Sequence, residues 1–395
     1  MTNRIPLPEA QAWIDRHVGV FGPETIDVGS AAGRTSAAAL ISPVDWPSAD
    51  CAALDGYALR AAESEGAGDY SPLPFELLET SAARSLPPGS ASIALTGLPL
   101  PSGADAILPL DAAQRSRTML DVMAPVAHGT GVDRRGSELR AGTEIVAGSG
   151  RLRPQDVALL ASLGMGKVAV VRQPRVSVVI PGPKGGAGDA LTPMLRALIA
   201  RDGGIAETSS PAEHGRAALA RAVTHAAVGA DLVLVAGRSG VGMDDDAPLA
   251  IAGAGGTLDV HGIAMRPGDT AGLGHVGGVP MVLLPGAPLA CLACYDMLAA
   301  RAVRRLAGIR GSLPYPVADA VLDRKIVSAI GFTDLVRVRM RGGRAMPLGS
   351  AESGGLASAV RANGFVVVPE ASEGHALGSA VRVHLYGDPC REVDL

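Results

Sequence analysis

Three apolar runs, each followed by a glycine-rich turn, decide the fold of the middle of this chain. They read PRVSVVI-PGPKGGAGD at 174–189, DLVLVA-GRSGVGMDDD at 231–246 and MVLL-PGAP at 281–288. In an open parallel α/β sheet the carboxyl ends of neighbouring strands share one edge, and ligands bind there. Glycines allow a close approach of the backbone to an anion, and helix N-termini direct N–H groups at it. The sequence therefore predicts a doubly wound α/β domain with an anion-binding edge.

Helix-like segments alternate with the apolar runs and support the same fold. The first begins at Thr192-Pro193 and stops at Gly203-Gly204, the second covers about 213–228, and the third runs from Pro288 to about Gly308. A capping residue followed by proline is typical of a helix start, and glycine of a helix end. The alternation of strand and helix over 174–308 indicates a parallel sheet with helices on its faces.

The remaining parts of the chain have other patterns of apolar, proline and glycine residues. Residues 8–19 and 154–164 have helical spacing of apolar residues. Between about 40 and 150 the runs are short and rich in proline and glycine, which predicts a β-rich insert. Apolar residues alternate at 335–340 and 380–385, so a small β-barrel or sandwich is expected for 317–390.

Composition excludes several classes of protein. The 395 residues are too many for one core, so two to four domains are expected. Aromatic residues make up only 3% and the net charge is −4, which argues against nucleic-acid binding. No run is apolar for long enough to cross a membrane, and the N-terminus lacks the apolar region of a signal peptide. We therefore expect a cytoplasmic protein without membrane or nucleic-acid partners.

The chemistry-bearing residues each allow a plain structural interpretation beside a functional one. A hairpin turn accounts for Asp55, a loop for Thr96, and a turn before a helix for Ser353. The charged stretch at 134–138 can pair within itself or meet a charged ligand. Three consecutive acids at 244–246 either hold a cation together with substrate phosphates or cap a helix.

Two further features remain open in the same way. Arg266 is either a surface arginine or a bidentate phosphate ligand. Cys291 and Cys294 form a CxxC within a helix-like run, without a second such pair or a nearby histidine. Buried helix thiols are favoured over a metal or redox site.

Taken together, the motifs resemble one family, the molybdopterin molybdotransferases, which comprise the MoeA proteins and the gephyrin E-domain. The two most specific motifs are D-x-P-x-x-D-x-A-A-L-D-G-Y-A at 45–58 and T-G-x-P-L-P-x-G-A-D-A at 96–106. Four more follow in the family's order: DALTPMLRAL, RPGDT, LPGAP and SGGLASAVRANG. The similarity runs from about residue 5 to 388.

The resemblance implies four domains. An elongated N-terminal domain would comprise 1–40 and 145–172, a β-rich domain would be inserted at 41–144, a MogA-like α/β domain would span 173–311, and a C-terminal β-barrel would span 312–395. It also implies a homodimer whose cleft combines the α/β and C-terminal domains of one subunit with the inserted domain of the other.

The resemblance further implies a reaction. Family members consume adenylylated molybdopterin and molybdate with the help of Mg²⁺, release AMP and place the metal in the dithiolene. A MogA-type adenylyltransferase or a molybdoenzyme would be a further partner. The polyanionic substrate agrees with the glycine-rich turns and the nearby acids.

The family's functional residues carry over onto matching positions of this chain. Catalytic roles fall on Asp55, Thr96, Glu138 (an Asp in the family) and Asp245, and Asp245 is also the expected Mg²⁺ ligand. The residues expected to bind the molybdopterin substrate are Gly182, Lys184, Gly237, Ser239, Gly240, Gly242, Arg266, Pro285, Gly286, Pro288 and Ser353.

Departures from the family pattern cluster at the same predicted cleft. Lys184 stands where the family has an acid, Arg238 enters the phosphate loop, Asp269 replaces a lysine and Ala287 replaces an asparagine. They leave two hypotheses beside a weaker third, an interaction scaffold. One is a divergent molybdotransferase. The other is a MoeA-like protein that binds or delivers the cofactor without turnover.

Overall fold

The computed structural model describes residues 4–78, 85–182, 189–211, 215–240, 242, 245–311, 313–352 and 355–387. None of the helices in these ranges has the length and hydropathy of a membrane span. The α-helices are α1 (Leu7–His17), α2 (Pro154–Ser162), α3 (Leu191–Arg201), α4 (Arg216–Ala226), α5 (Ala247–Gly253), α6 (Pro288–Cys294), α7 (Ala300–Leu306) and α8 (Leu356–Arg361). A π-helical turn, Tyr295–Ala299, joins α6 to α7.

The first part of the chain forms a six-stranded sheet and three short two-stranded ladders. The six-stranded sheet has the order β8-β5-β7-β6-β10-β9, and only the β6–β7 pair is parallel. Its core is a separate cluster that includes Phe75, Leu108 and Leu120. The strands are β1 (Ile5–Pro6), β2 (Pro23–Asp27), β3 (Leu40–Ile41), β4 (Cys51–Ala52), β5 (Gly56–Leu59), β6 (Leu73–Leu78), β7 (Ser90–Ala94), β8 (Ala106–Pro109), β9 (Ala113–Arg115), β10 (Met119–Val122), β11 (Val132–Asp133), β12 (Glu144–Val146) and β13 (Lys167–Val171).

The middle of the chain forms the predicted α/β sheet. Its strands are β14 (Arg175–Val179), β15 (Ile205–Ser209), β16 (Leu232–Ala236), β17 (Thr257–His261), β18 (Ile263–Arg266), β19 (Gly272–Val276) and β20 (Val279–Leu284). Except for β18, they pair in the order β15-β14-β16-β20-β19-β17. The pairs among β15, β14, β16 and β20 are parallel, so the turns after β14, β16 and β20 leave the same edge. Strand β19 pairs antiparallel with β20 and β17, so the sheet is mixed and the predicted parallel order holds for four of its six strands.

The C-terminal part is a closed five-stranded barrel. Its strands are β21 (Val317–Leu322), β22 (Ile326–Val327), β23 (Thr333–Arg341), β24 (Arg344–Pro347), β25 (Gly364–Val368), β26 (Gly374–His375) and β27 (Ala380–Leu385). The ring β23-β24-β21-β27-β25 closes because β25 also pairs with β23. The barrel alternative of the sequence is therefore confirmed over the sandwich.

Two connections join these parts in ways that the sequence did not indicate. Strand β18 leaves the α/β sheet and pairs in parallel with β1 on one side and with β23 of the barrel on the other. Helix α1 buries Trp13 and Ile14 in the same core as the inner face of the α/β sheet.

The predicted pairing of 1–40 with 145–172 has partial support, because β2 and β13 form an antiparallel ladder of five residue pairs. The packing of α1, by contrast, ties the first helix to the α/β core. The domain boundaries stay a prediction.

Candidate functional site

The three glycine-rich turns meet at the edge of the α/β sheet. A Cβ atom added at Gly286 would lie 3.2 Å from the Cα of Gly237, and one added at Gly237 would lie 3.5 Å from Cδ of Pro181. The Gly237 N–H also donates to the Leu284 carbonyl over 2.9 Å. A side chain at Gly286 would force the backbone at Gly237 to shift, whereas Gly237 and Pro181 are in ordinary contact. Pro181, Gly237 and Gly286, one residue from each turn, therefore lie together at one edge, and Pro288 begins α6 after the third turn.

The loop after β16 folds around the carboxylate of Asp245. The Gly242 N–H donates to Asp245 Oδ2 over 2.8 Å. A Cβ added at Gly240 would collide with the same oxygen, and one added at Gly242 would lie 3.0 Å from it. Both glycines leave room for a carboxylate that is only half-buried. The loop therefore presents an acid at the mouth of the glycine-rich edge.

Ser239 is anchored rather than free within this loop. Its hydroxyl shares a hydrogen bond of 2.8 Å with the Thr270 hydroxyl, and its carbonyl accepts one of 2.8 Å from His261 Nε2. Thr270 belongs to the RPGDT motif, so this bond ties two motifs of the predicted site together. Asp269 of the same motif pairs with Arg4 at 2.5 Å.

Arg238 folds back onto the loop and pairs with Asp246. Their closest nitrogen–oxygen distance is 3.2 Å, and the arginine has a left-handed backbone with φ of 54°. Asp246 is the residue that precedes α5, but its side chain makes no capping hydrogen bond. Within the described ranges, which omit Asp244, no three acidic, histidine or cysteine side chains are grouped to hold a metal ion. The two acids therefore have different partners: Asp245 accepts the Gly242 N–H, whereas Asp246 pairs with Arg238.

Asp55 and Thr96 form a second constellation, in the inserted six-stranded sheet. The Thr96 N–H and hydroxyl both donate to Asp55 Oδ1 over 2.8 Å. These two hydrogen bonds lower the pKa of the Asp55 carboxyl below its ordinary value. Gly56, the next residue, lies against the Leu108 carbonyl of the neighbouring strand and leaves no room for a side chain. The carboxylate is exposed and stays ionised.

Glu138 lies in a loop that contacts the segment before Asp55, where the Glu138 N–H donates to the Trp46 carbonyl over 3.1 Å. Strand β11, which precedes the loop, pairs with β4, which precedes Asp55. Among the described residues, Arg134 and Arg135 form ion pairs with aspartates from an earlier part of the chain and not with Glu138. Arg134 binds Asp50 at 3.0 Å and Arg135 binds Asp45 at 2.8 Å, while Glu138 has an exposed side chain.

Arg266 lies at the junction with the barrel, where its charge is matched within the protein. It makes a bidentate pair with Asp334, with nitrogen–oxygen distances of 2.8 and 2.6 Å, and the Ser328 hydroxyl donates to the same carboxylate over 2.8 Å. The bidentate pair raises the pKa of the guanidinium further. These residues line a cavity of about 190 Å³ that also includes Glu352. Sequence reasoning missed Asp334, because its link to Arg266 depends on the β18–β23 pairing.

Two predicted site residues, Lys184 and Ser353, lie outside the described residues. The CxxC cysteines are within them, and both thiols are buried in α6. Burial raises the pKa of Cys291 to about 12 and also raises that of Cys294, whose Sγ donates to the Gly268 carbonyl over 3.3 Å. This agrees with the expectation of inert helix thiols.

The site residues thus fall into two groups. One contains Asp55 and Thr96, which follow or precede strands of the six-stranded sheet. The other follows the α/β edge from Gly237 to Asp245. Across the described part of a single chain, no hydrogen bond or ion pair joins the Asp55–Thr96 pair to that edge.

Comparison with known proteins places the two groups of site residues in different family profiles. Three family profiles match in order: the MoeA N-terminal region (domain I and II) at residues 5–164, a probable molybdopterin binding domain at 183–305, and the MoeA C-terminal region (domain IV) at 319–386. The two MoeA regions together span more than half of the chain. The chain belongs to the MoeA family.

Whole-length relatives of this MoeA-family protein are found among curated proteins and solved structures. Molybdopterin molybdenumtransferase 2 of Mycobacterium tuberculosis is 28% identical, over 91% of this chain and 94% of that protein. Molybdopterin molybdenumtransferase of Staphylococcus aureus is 25% identical, over 100% and 98%. The molybdopterin biosynthesis MoeA protein of Pyrococcus horikoshii superposes with a TM-score of 0.76 at 28% identity, over 98% of this chain and 100% of that one.

Proposed function

We propose that this MoeA-family protein acts in molybdenum cofactor biosynthesis as a molybdopterin molybdotransferase. It takes adenylylated molybdopterin and molybdate, releases AMP and leaves the metal in the dithiolene. The observation that carries the proposal is the meeting of three glycine-rich turns at the edge where Asp245 is presented. Backbone N–H groups at such an edge suit a phosphate, and an adjacent acid suits a phosphate-bound cation.

Magnesium fits the residues that are present. Mg²⁺ is commonly bound through one or two carboxylates together with substrate phosphates. Asp245 Oδ2 accepts the Gly242 N–H, and Oδ1 has no hydrogen bond or ion pair with any described residue. Asp245 would hold the ion through that oxygen. When bound, the ion would neutralise charge on phosphate oxygens.

The remaining residues of the edge position the substrate. Ser239, at the start of the loop that carries Asp245, is fixed by hydrogen bonds with Thr270 and His261. Arg238 is paired with Asp246, so its charge is already matched by a carboxylate of the same chain. The alternative, a MoeA-like protein that binds or delivers the cofactor without turnover, predicts binding of molybdopterin without AMP release.

We further propose that the active unit is a homodimer in which the Asp55–Thr96 pair of one protomer completes the α/β edge of its partner. Support comes from the division of the site residues into two groups, between which the described residues of one chain form no hydrogen bond or ion pair. In a two-fold dimer such a contact would be made twice. Asp55, held ionised by Thr96, would orient water or a substrate hydroxyl.

The test is AMP release from adenylylated molybdopterin in the presence of molybdate, with and without Mg²⁺. We expect Mg²⁺-dependent release by the wild type, and a loss of about 10²–10³-fold in Asp245→Asn, because one electrostatic contributor in the site is removed. Asp319→Asn, an exposed acid of the barrel, is the matched control. Equal rates for Asp245→Asn and Asp319→Asn would contradict the proposal.

A further inference from the structure

A second charged cavity lies at the far end of the last helical segment of the α/β region. It has a volume of about 480 Å³ and is lined by residues of α1, the turn at 147–150, strand β13 and the end of α7. This volume is typical of small-molecule sites. Three arginines and one aspartate are the charged groups among its described lining residues: Arg301, Arg305, Arg310 and Asp15.

Asp15 makes hydrogen bonds to only one of these arginines and a longer ion pair to a second. Both of its oxygens accept hydrogen bonds from Arg301, over 2.8 and 2.6 Å. The nearest nitrogen of Arg305 to Asp15 is 3.7 Å away, and the Nε of Arg305 donates to the Val18 carbonyl over 2.5 Å. Arg305 therefore has a structural contact but no carboxylate at hydrogen-bond distance.

Arg310 is the least constrained of the three. Its side chain is exposed, and its contact to the Ser149 hydroxyl is long, at 3.4 Å. Ser149 has a left-handed backbone with φ of 66°, a conformation that costs free energy in a residue with a side chain. The strained turn thus holds a hydroxyl beside a guanidinium that forms no ion pair with a described residue.

Carbonyl groups at this end of α7 accept hydrogen bonds from the backbone, so they are not free to repel an anion. The Gly308 N–H donates to the Arg305 carbonyl over 3.1 Å, and the Ile309 N–H donates to the Arg304 carbonyl over 2.8 Å. These bonds satisfy two of the four carbonyls that a helix end normally leaves without a partner. The cavity wall is completed by apolar side chains of Val20, Val171 and Ile309.

We propose that this cavity is a binding site for a small phosphate-bearing molecule. Its phosphate would lie between Arg305 and Arg310, with the Ser149 hydroxyl as a further donor, and its organic part would lie on Val20 and Ile309. Guanidinium groups bind phosphate strongly through charge-assisted, often bidentate hydrogen bonds. The cavity is open on one side, and its volume matches that of a small-molecule site.

The cavity is separate from the candidate site. Residues Pro288–Leu306 form one continuous helical segment from α6 through the π-helical turn to α7, and only its first residue lies at the α/β edge. At 1.5 Å per residue the segment is roughly 28 Å long. The proposal therefore does not depend on the activity at that edge.

The experiment follows hydrogen–deuterium exchange of peptides covering 300–311 in the full-length protein, in HEPES buffer, as pyrophosphate is added. Peptide-level detection separates this cavity from phosphate binding at the α/β edge. We expect exchange to slow in the wild type and in Arg196→Ala, which removes an exposed arginine of α3 and serves as the matched control. Arg310→Ala should need about tenfold more pyrophosphate for half of the effect, and Arg310→Lys should lie between.

AMP and adenosine form a second pair of probes. AMP should slow exchange of the same peptides and adenosine should not, because only AMP carries the phosphate. The proposal is overturned if millimolar pyrophosphate leaves exchange of 300–311 unchanged, or if Arg310→Ala and Arg196→Ala respond alike. Circular dichroism of each variant verifies that the fold is intact.

Discussion

Two exposed or half-exposed carboxylates of this protein, Asp55 and Asp245, are held in different ways. Asp55 accepts two hydrogen bonds from Thr96, 41 residues away in sequence, and the strands on either side of the turn form its support. Asp245 accepts one N–H from Gly242, three residues away, and occupies space left by glycines. The first depends on the pairing of a sheet, whereas the second depends on the local shape of a loop.

This difference explains which changes each carboxylate tolerates. A loop shaped by glycines is sensitive to any added side chain, even where the overall stability is unaffected. A carboxylate held by a partner across a sheet is sensitive to the loss of that partner. The following three changes probe the two supports separately, and they are ordered from the largest expected effect to the smallest.

Gly240→Ala should break the support of Asp245. The new methyl group would occupy the position of Asp245 Oδ2, the end of a movable side chain, so the carboxylate is displaced while the fold remains. We expect AMP release to fall about 30-fold, somewhat less than on removing the charge itself. The melting temperature should shift little. Gly22→Ala, where an added Cβ has no neighbour within 4 Å, is the control. An unchanged rate would show that the position of Asp245 is unimportant.

Thr96→Val should weaken the support of Asp55 while leaving the backbone N–H in place. Loss of the hydroxyl removes one of two hydrogen bonds that lower the pKa of Asp55, so this pKa should rise. On acidification, Asp55 of the variant is therefore protonated at a higher pH than Asp55 of the wild type. We expect the acidic limb of the AMP-release profile to move to higher pH, with about a fivefold loss of rate at neutral pH. A pH profile of AMP release identical to that of the wild type would show that the ionisation of Asp55 does not affect the reaction.

Arg238→Gly should have the smallest effect. It removes a half-exposed ion pair with Asp246 and relieves the left-handed backbone at residue 238. Such pairs contribute up to about 1 kcal/mol, so the rate of AMP release should change by less than about fivefold. A large gain in rate would mean that the arginine obstructs the loop, contrary to its position against Asp246.

Local sequence patterns were sufficient to predict the helices and the parallel strands of the α/β region. The predicted helix from Thr192 is α3, and the long helix from Pro288 is present, although a π-helical turn interrupts it. Apolar spacing and capping residues are properties of adjacent positions, so they can be identified in one sequence. The convergence of the glycine-rich turns followed from the parallel order of the strands.

The contacts that sequence reasoning missed are those set by distant pairing. Arg266 meets Asp334 only because β18 leaves its own sheet and joins the barrel. Arg134 and Arg135 pair with Asp50 and Asp45, about 85 to 90 positions away, rather than with Glu138. The arginine cavity likewise depends on the packing of α1 against α7. No local pattern distinguishes these arginines from ordinary surface charges.

The central claim is that one catalytic cleft needs the Asp55 group of one protomer and the Asp245 group of the other. The direct test mixes Asp55→Asn and Asp245→Asn protein, each inactive alone, after dissociation and reassociation at equal amounts. If the cleft is shared, half of the dimers are mixed and each has one intact site, so AMP release should recover to roughly a quarter of the wild-type rate. If mixing restores no activity although mixed dimers are present, both carboxylates serve the same chain and the account is contradicted.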